Sequence, residues 1–414
     1  ATATLTAVPE PGYLFSGWSG GLSGTTNPAT LLMNQDYEVN ATFAPDVGDT
    51  DGDGTSNFAE GLLSVAVGSV HTLLLKTDGS LWATGSNAEG QQGDGTTGTN
   101  QTFEEIISSG VVAISAGDRH SAYLKTNGSL WVVGENDKGQ LGDGTTTDRS
   151  TPYQVESSGV VQVALGGDTT LYRKGDGSVW GMGNNFGTLN DGTDVDRNVS
   201  VQVIPSGVID LSTGTAGNNH ALFLKSDGSL WSIGSGGYGM LGNGAGGNRN
   251  APGQVRAAKV KGIAAGSPHS LFLDENGSLW AMGRNDYGEL GDGSLTQQNS
   301  PVQVVASGVD QVATARWSSY YLSANGSLWA FGRNNFGQLG DGSTTDRSTP
   351  VQVVSSGVSR IEGGTGQHFH FIKDDGSLWG MGDTGSYRMG DGQDAVDLLV
   401  PTQILSAAQT NPRL

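Results

Sequence analysis

Cysteine is absent from this chain of 414 residues. The absence excludes a disulfide framework, a thiolate nucleophile and a metal site built on thiolates. Basic residues are scarce, because 21 Lys and Arg stand against 41 Asp and Glu, which gives a formal net charge of −20 at pH 7. Nucleic-acid binding requires Lys and Arg to neutralise phosphates. The sequence therefore predicts no nucleic-acid partner, and we interpret the acidity as favouring solubility in a secreted protein.

Long apolar runs are also missing. No stretch reaches the roughly 18 apolar residues that a membrane-spanning helix needs, so the sequence predicts no membrane span. The chain opens at Ala1 without a recognisable signal peptide. We interpret Ala1 as an internal or processed start and expect the chain to be a fragment of a longer protein.

Glycine, by contrast, is abundant at 68 residues, and its spacing is periodic. A stretch of about 50 residues occurs seven times, most clearly at residues 110–155. Each copy contains a tryptophan after Asp/Asn-Gly-Ser-Leu/Val: Trp82, Trp131, Trp180, Trp231, Trp280, Trp329 and Trp379. A fixed period of this length predicts a repeat architecture in which each copy buries its apolar face against its neighbours. We expect all seven tryptophans to lie in the core.

The pattern within one copy predicts four short strands. The first strand is an aliphatic run, and a glycine separates it from the second strand. An Asp-Gly or Asn-Gly turn leads to the third strand, which contains the tryptophan, and Thr-Pro-x-Gln-Val forms the fourth. The turn favours a type I′ hairpin, in which both central residues have positive φ. Four antiparallel strands make one blade of a propeller, so the fold class is all-β, with seven blades. We expect the first strand, near Val65, to pair with the last, near Ile404, within one blade and so close the ring.

The repeats resemble those of the regulator of chromosome condensation family. The resemblance rests on A-G-x-x-H, D/N-G-S-L-W, G-x-N-x-x-G-Q-L-G-D-G and T-P-x-Q-V, and it extends from residue 63 to about residue 405. It implies a closed seven-bladed propeller over residues 63–414 that presents loops to a protein partner. Family members include a nucleotide-exchange factor on chromatin, a plant ultraviolet-B photoreceptor and a secreted bacterial inhibitor of β-lactamases. The acidic charge argues against the chromatin role here.

Residues 1–45 predict a small β module of strands and turns. It resembles the internalin B-type repeat modules that occur in tandem on bacterial surface and secreted proteins. The residues that carry the resemblance are Leu5-Thr6-Ala7, Pro11-Gly12-Tyr13, Phe15, Gly17-Trp18 and the stretch from Tyr37 to Phe43. The module looks partial, because such repeats usually begin with further strands upstream.

Residues 46–62 form a candidate calcium-binding linker. Oxygen donors stand at the spacing of a Ca²⁺ loop: Asp49, Asp51, Asp53, Thr55, Asn57 and Glu60. Thr55 would contribute its backbone carbonyl and Glu60 both carboxylate oxygens. This set, called the calcium loop below, resembles EF-hand, thrombospondin type 3 and dockerin loops, although Ser56 replaces the usual aliphatic residue and no long flanking helix is evident. We expect Ca²⁺ to stiffen the linker; the alternative is an acidic turn that binds nothing.

Two sets of repeated polar residues could suggest a metal site or a catalytic site. Five copies have a histidine eleven residues before the tryptophan: His71, His120, His220, His269 and His368. Equivalent positions on different blades do not converge on one ion, so we interpret these histidines as hydrogen-bonding backbone within their own blades. The aspartates of the Gly-Asp-Gly segments recur in nearly every copy and are interpreted as turn formers. No residue pair breaks the pattern as a catalytic pair should, so we expect a non-enzymatic protein.

Aromatic residues after the tryptophan strands are the best candidates for partner binding. Phe186, Tyr238, Tyr287 and Phe336 occupy equivalent positions on four consecutive blades, and Trp317 has no equivalent in other copies. We expect them to bind a protein. For the four residues on consecutive blades, the alternative is that an aromatic residue before Gly-Gln-Leu-Gly is part of the family's repeat pattern and binds nothing. The alternatives are a glycan-binding module, and a structural or adhesive spacer of a larger surface protein. The sequence thus predicts a bacterial, extracellular or surface-attached protein, either a monomer or part of a longer one.

Overall fold

The structure is a computed structural model that describes residues 2–5, 13–20, 29–32, 39–45, 62–214 and 219–410. Near the N-terminus, Thr2–Leu5 pairs antiparallel with Ala29–Leu32, and Tyr13–Gly20 pairs antiparallel with Val39–Pro45. The calcium loop lies outside the described residues. Within the described residues, no helix has the length and apolarity to cross a membrane.

Seven four-stranded antiparallel sheets follow, each built from consecutive strands of one sequence repeat. The inner strands are Leu62–Val67, Val111–Ala116, Val160–Leu165, Val208–Thr213, Val260–Ala265, Val309–Ala315 and Val358–Glu362. The second strands are His71–Lys76, His120–Lys125, Thr169–Lys174, His220–Lys225, His269–Asp274, Ser318–Ser323 and His368–Lys373. The third strands are Leu81–Gly85, Leu130–Gly134, Val179–Gly183, Leu230–Gly234, Leu279–Gly283, Leu328–Gly332 and Leu378–Gly382. The outer strands are Asn100–Ile107, Arg149–Glu156, Arg197–Ile204, Arg249–Arg256, Gln298–Val305, Arg347–Val354 and Leu398–Leu405.

The predicted all-β, seven-bladed propeller is confirmed. The last blade also contains the 3₁₀ turn Gly385–Tyr387, and the helix Ala407–Thr410 follows it. Because the strands of each blade run antiparallel, the turn after the inner strand and the loop after the third strand emerge on one face of the disc, called the loop face. The tight hairpins before the tryptophans emerge on the opposite face, called the hairpin face.

The hairpin turn differs from the predicted type I′. In the first blade Gly79 has a φ of 80°, whereas Asp78 does not have a positive φ. The amide of Gly79 donates to the carbonyl of Lys76 at 3.0 Å, and the Asp78 carboxylate accepts the amide of Ser80 at 2.8 Å. This is a three-residue loop, a type I turn followed by a left-handed glycine. The type I′ prediction was wrong because the aspartate side chain satisfies a backbone amide in the right-handed conformation.

The hydrophobic core lies between neighbouring blades. One cluster joins Ala122, Leu130 and Val132 of the second blade to Tyr172 and Met182 of the third. The repeated tryptophans pack against such clusters but are only partly buried, which corrects the prediction that they are core residues. In most copies the indole N–H donates to a serine hydroxyl two residues earlier. A lysine or arginine also lies over several of the indole rings, so the tryptophans have both apolar and polar contacts.

Ring closure also differs from the prediction. The strand containing Val65 belongs to the first blade and the strand containing Ile404 to the last, so these two strands do not share a sheet. The first and last blades instead pack face to face, as other neighbours do, with Val65 and Ile404 in one hydrophobic cluster. Val67 forms a parallel bridge with Gly364, and the amide of Thr365 donates to the Val67 carbonyl at 3.0 Å. Each repeat folds into its own blade because all four strands are present in one copy.

The repeated histidines join blades to one another. Nε2 of each histidine lies 2.8–3.1 Å from a Ser or Thr hydroxyl of the next blade, as for His120 with Thr170 and, across the closure, His368 with Thr72. The Thr170 hydroxyl donates its own proton to the Gln140 carbonyl at 2.8 Å, so it accepts from Nε2–H of His120. The expected backbone partner within the same blade was therefore wrong. Alternation along the strand points the imidazole into the gap between blades.

Candidate partner-binding surface

All five aromatic residues predicted to bind a partner lie in connections of the loop face. Phe186, Tyr238, Tyr287 and Phe336 follow the third strands of the third to sixth blades, and Trp317 lies in the turn after the sixth inner strand. Phe186 is 46% exposed and Tyr238 is 40% exposed. Tyr287, Phe336 and Trp317 are half-buried. The shared face follows from strand direction, since both kinds of connection leave the same end of each blade.

Arginines link three of these aromatic rings into a continuous surface. The Tyr287 and Trp317 ring centroids are 6.1 Å apart. The Arg284 guanidinium lies 5.4 Å from the Tyr238 ring centroid and 5.5 Å from that of Tyr287. The Arg333 guanidinium lies 4.7 Å from the Tyr287 centroid and 4.4 Å from that of Trp317. Contacts of this kind add cation–π attraction to apolar packing.

Arg316 completes the group, with its guanidinium 4.7 Å from the Trp317 ring centroid. The six residues Tyr238, Arg284, Tyr287, Arg316, Trp317 and Arg333 are called the arginine–aromatic cluster below. Large aromatic rings and arginines are the side chains enriched at the centres of protein interfaces.

The backbone of Trp317 adopts an uncommon conformation for a bulky residue, with a φ of 62°. Its amide donates to the Ser267 carbonyl at 3.3 Å, and its carbonyl accepts the Arg333 amide at 2.9 Å. Hydrogen bonds to two neighbouring connections thus hold the residue in the left-handed region, where a non-glycine residue is strained. Residues strained in this way cluster at active sites and ligand-binding sites.

Phe186 and Phe336 are not brought into this cluster. Among the described residues, neither ring contacts another aromatic ring or a cation. Of the four aromatic residues predicted on consecutive blades, Tyr238 and Tyr287 therefore belong to the cluster, together with Trp317, and the two phenylalanines lie on the same face as separate apolar side chains.

The predicted partner-binding residues did not include Arg284, Arg316 and Arg333, although the repeat pattern distinguishes these three arginines. The residue after the third-strand glycine is Arg284 in the fifth blade and Arg333 in the sixth, whereas it is Ser86, Glu135 or another uncharged or acidic residue elsewhere. Arg316 stands in the turn that carries Asp118 in the second blade. Comparing the repeats position by position would have shown that basic residues gather on two adjacent blades.

The loop face carries acidic groups on the first three blades. Glu89, Asp118, Glu135, Asp137 and Asp168 lie in equivalent connections there. Burial first, and the charge of Asp168 second, raise the pKa of Asp118 to about 6. Burial together with the charges of Asp168 and Asp137 raises the pKa of Glu135 to about 7. The carboxylates of blades one to three lie beside two cations, because Arg119 pairs with Glu89 and Lys138 pairs with Asp137. The arginine–aromatic cluster lies on blades four to six, where Asp286 pairs with Arg284.

A central channel of about 270 Å³ runs between the inner strands. Six blades place Ala or Ser where the last blade has Glu362. The Ser64 hydroxyl donates to this carboxyl at 3.3 Å, and burial raises its pKa to about 7. This position breaks the repeat, but a single carboxyl among small side chains does not constitute a catalytic pair.

Within the described part of the chain, no group of three or more His, Cys, Asp or Glu side chains is arranged to hold a metal ion. The repeated aspartates act as turn formers, as predicted: the Asp143 carboxylate accepts the Thr145 amide at 2.9 Å and the Asn136 side-chain amide at 3.2 Å. The calcium loop falls outside the described residues, so Ca²⁺ binding there stays a prediction.

Comparisons with known proteins agree with this architecture. The RCC1-like domain family matches residues 53–308, the regulator of chromosome condensation (RCC1) repeat matches residues 325–367, and the divergent InlB B-repeat domain matches residues 1–47. The resemblances of the seven repeats and of residues 1–45 are thereby confirmed. A search of curated protein sequences gave no significant match.

Similar solved structures share the propeller. Prp20p from Saccharomyces cerevisiae, whose structure was described with its binding to Gsp1p and histones, is 20% identical with a TM-score of 0.71, over 85% of this chain and 89% of that one. Yeast RCC1 (Prp20) bound to Kap60 is 19% identical with a TM-score of 0.70, over 83% of this chain and 86% of that one. Human WBSCR16 is 23% identical with a TM-score of 0.64, over 73% of this chain and 84% of that one. Identities this low establish the fold alone. The match over residues 53–308, more than half of the chain, shows that the protein belongs to the RCC1-like domain family.

Proposed function

We propose that the protein is a non-enzymatic binding propeller that holds a protein partner against its loop face. The observation that carries the proposal is the arginine–aromatic cluster, which exposes aromatic rings and guanidinium groups on three adjacent blades. The blade framework beneath it is rigid, because hydrophobic clusters and histidine–hydroxyl bonds join successive blades. A rigid platform limits the entropy lost on binding.

We also propose an extracellular or surface-attached location in a bacterium, with Ca²⁺ bound at the calcium loop to stiffen the linker between the small β module and the propeller. The supports are the match of residues 1–47 to the divergent InlB B-repeat domain, the net charge of −20 and the oxygen-donor spacing from Asp49 to Glu60. The yeast structure described with binding to Gsp1p and histones makes a protein partner the natural class for such a propeller.

Capture of partners from extracellular and cell-surface extracts tests the proposal. The full chain should retain a protein whose capture is abolished by prior protease treatment of the extract. Trp317→Ala or Tyr287→Ala should reduce retention at least tenfold, whereas Val161→Ser, which changes a side chain that is 49% exposed on the hairpin face, should leave it unchanged. Retention that is indifferent to Trp317 and Tyr287 would refute the assignment of the surface.

A glycan is the second candidate ligand. Phe186 and Tyr238 are exposed aromatic rings on the same face, and such rings also suit the apolar faces of sugars. In the same assay, capture that survives protease treatment and depends on Phe186 and Tyr238 would favour this alternative.

A further inference from the structure

Arg316 and Arg333 are unusual among the arginines of this protein. Their guanidinium groups lie 4.7 Å and 4.4 Å from the centroid of the same ring, that of Trp317. Seven other arginines form ion pairs with carboxylates. Among the described residues, no hydrogen bond or ion pair engages either guanidinium of the Trp317 pair, and the buried Nε of Arg316 has no acceptor. Two positive groups are thus held against one ring, and within the described structure Asp118, which interacts electrostatically with Arg316, accepts no hydrogen bond from either guanidinium.

That arrangement is unexpected in a chain with a net charge of −20, because carboxylates are abundant and like charges repel. The backbone enforces it: the Arg316 amide donates to the Gly366 carbonyl at 3.0 Å, and Trp317 is kept at a φ of 62°. Stacking on an indole uses the flat face of a guanidinium and leaves its N–H edge free to donate. The two edges therefore present donors that nothing in the described structure satisfies.

A carboxylate matches these donors, because a guanidinium edge and a carboxylate form two parallel hydrogen bonds. The remainder of the loop face limits how the carboxylate can be presented. Glu135 and Asp168 on the second and third blades would repel an extended polyanion lying across the disc, whereas Glu89 pairs with Arg119 and Asp118 interacts with Arg316. A protein segment can place acidic side chains at one point and neutral or basic ones elsewhere, which suits the polarity of this face.

We propose that Arg316 and Arg333 form a carboxylate clamp around Trp317 that binds an acidic segment of the protein partner. The inference rests on the proposed function and adds the chemistry that the partner must present. Tyr238 and Tyr287 lie beside the clamp and contact the apolar atoms that flank the bound carboxylate.

Two rhodamine-labelled peptides test the clamp in the 414-residue chain by fluorescence anisotropy: Gly-Gly-Glu-Glu-Gly-Gly and its isosteric counterpart with Gln in place of Glu. The Glu peptide should bind at least tenfold more tightly, and the preference should shrink as NaCl rises from about 50 to about 300 mM, since ion pairs are screened. Arg316→Gln/Arg333→Gln should abolish the preference. Lys261→Gln removes one exposed positive charge at the hairpin face and should retain it.

Arg333→Lys separates charge from shape, because an ammonium keeps the charge but lacks the planar edge; it should lose at least half of the tenfold preference. Equal binding of the two peptides, or equal losses in the clamp and Lys261 variants, would overturn the proposal. Tight binding of hexagalacturonate without binding of the Glu peptide would also overturn it, since the recognised carboxylate would then belong to a saccharide. If Trp317→Ala abolishes protein capture but the double arginine variant captures normally, the proposed function stands and the clamp is wrong.

Discussion

The buried histidines should make the propeller sensitive to acid, and His120 allows the effect of one imidazole to be isolated. Burial first, and the nearby His71 second, lower the pKa of His120 to about 3. The unfolded chain has the ordinary histidine pKa of about 6.5. Between these values the unfolded chain binds a proton that the folded protein excludes, so stability is complete above pH 6.5 and is lost as the pH falls toward the folded pKa.

The magnitude follows from proton linkage. At pH 5 protonation favours the unfolded chain by about 2 kcal/mol for one such histidine, whereas at pH 7 the term is below about 0.3 kcal/mol. His120→Thr places at this position the residue that the third blade uses, Thr169. The variant should be less stable than the native chain at pH 7, and this deficit should shrink by about 2 kcal/mol at pH 5, because only the native chain retains the His120 term.

Urea unfolding followed by tryptophan fluorescence provides the measurement, because eight of the nine tryptophans lie in the propeller. Ile233→Val, which removes one buried methylene group, is the matched control; its deficit should be the same at both pH values because no titrating group changes. A deficit of His120→Thr that stays constant from pH 7 to pH 5 would refute the conclusion that the buried imidazole is neutral.

Three further predictions concern blade packing, closure and the linker. Gly117→Ala should destabilise the propeller by about 1–3 kcal/mol, because the added Cβ would lie 2.5 Å from Nδ1 of His120. Gly262→Ala is the control and should be nearly neutral, since its Cβ would meet no atom closer than 3.7 Å. Urea unfolding measures the stability of both variants. Gly364→Ala should destabilise the propeller more than Gly117→Ala does, because its Cβ would collide with the Val67 carbonyl at the ring closure, and an equal or smaller loss would contradict the closure described above. Chelation of Ca²⁺ should increase protease cleavage at the calcium loop and added Ca²⁺ should reverse it; identical cleavage patterns would count against the metal.

The propeller could be predicted because the same pattern of four strands occurs in seven copies. A spacing of 49–51 residues with four strand patterns per copy is satisfied by a propeller blade. The errors arose where side chains override local preference. Asp78 satisfies the Ser80 amide, so the turn needs positive φ only at Gly79 and is not type I′. A turn signal identifies the hairpin, but the capping carboxylate selects its type.

The histidine contacts show a second limit of sequence reasoning. His120 reaches a hydroxyl on the next blade, about 50 residues away in sequence, and no local pattern indicates this partner. The repeats do carry an internal trace of the packing. Where Ser318 replaces the histidine in the sixth blade, Ala315 replaces the glycine three residues earlier. A Cβ at Gly117 would meet the imidazole of His120, so an alanine is sterically compatible with this position only where the ring is absent, although the third blade, with Thr169, keeps Gly166.

The same comparison of copies separates structural residues from functional ones. Seven equivalent positions share one backbone environment, so a side chain that the fold requires recurs in most of them, as the histidines and turn aspartates do. The arginines do not follow this rule: Arg333 stands where the second blade has Glu135, with the same strand before it and the same loop after it. A reversal of charge at one position of a common framework is neutral for the fold but changes what the surface can bind. Under the proposed function, the positions of the loop face at which the copies differ are therefore the ones expected to contact the partner.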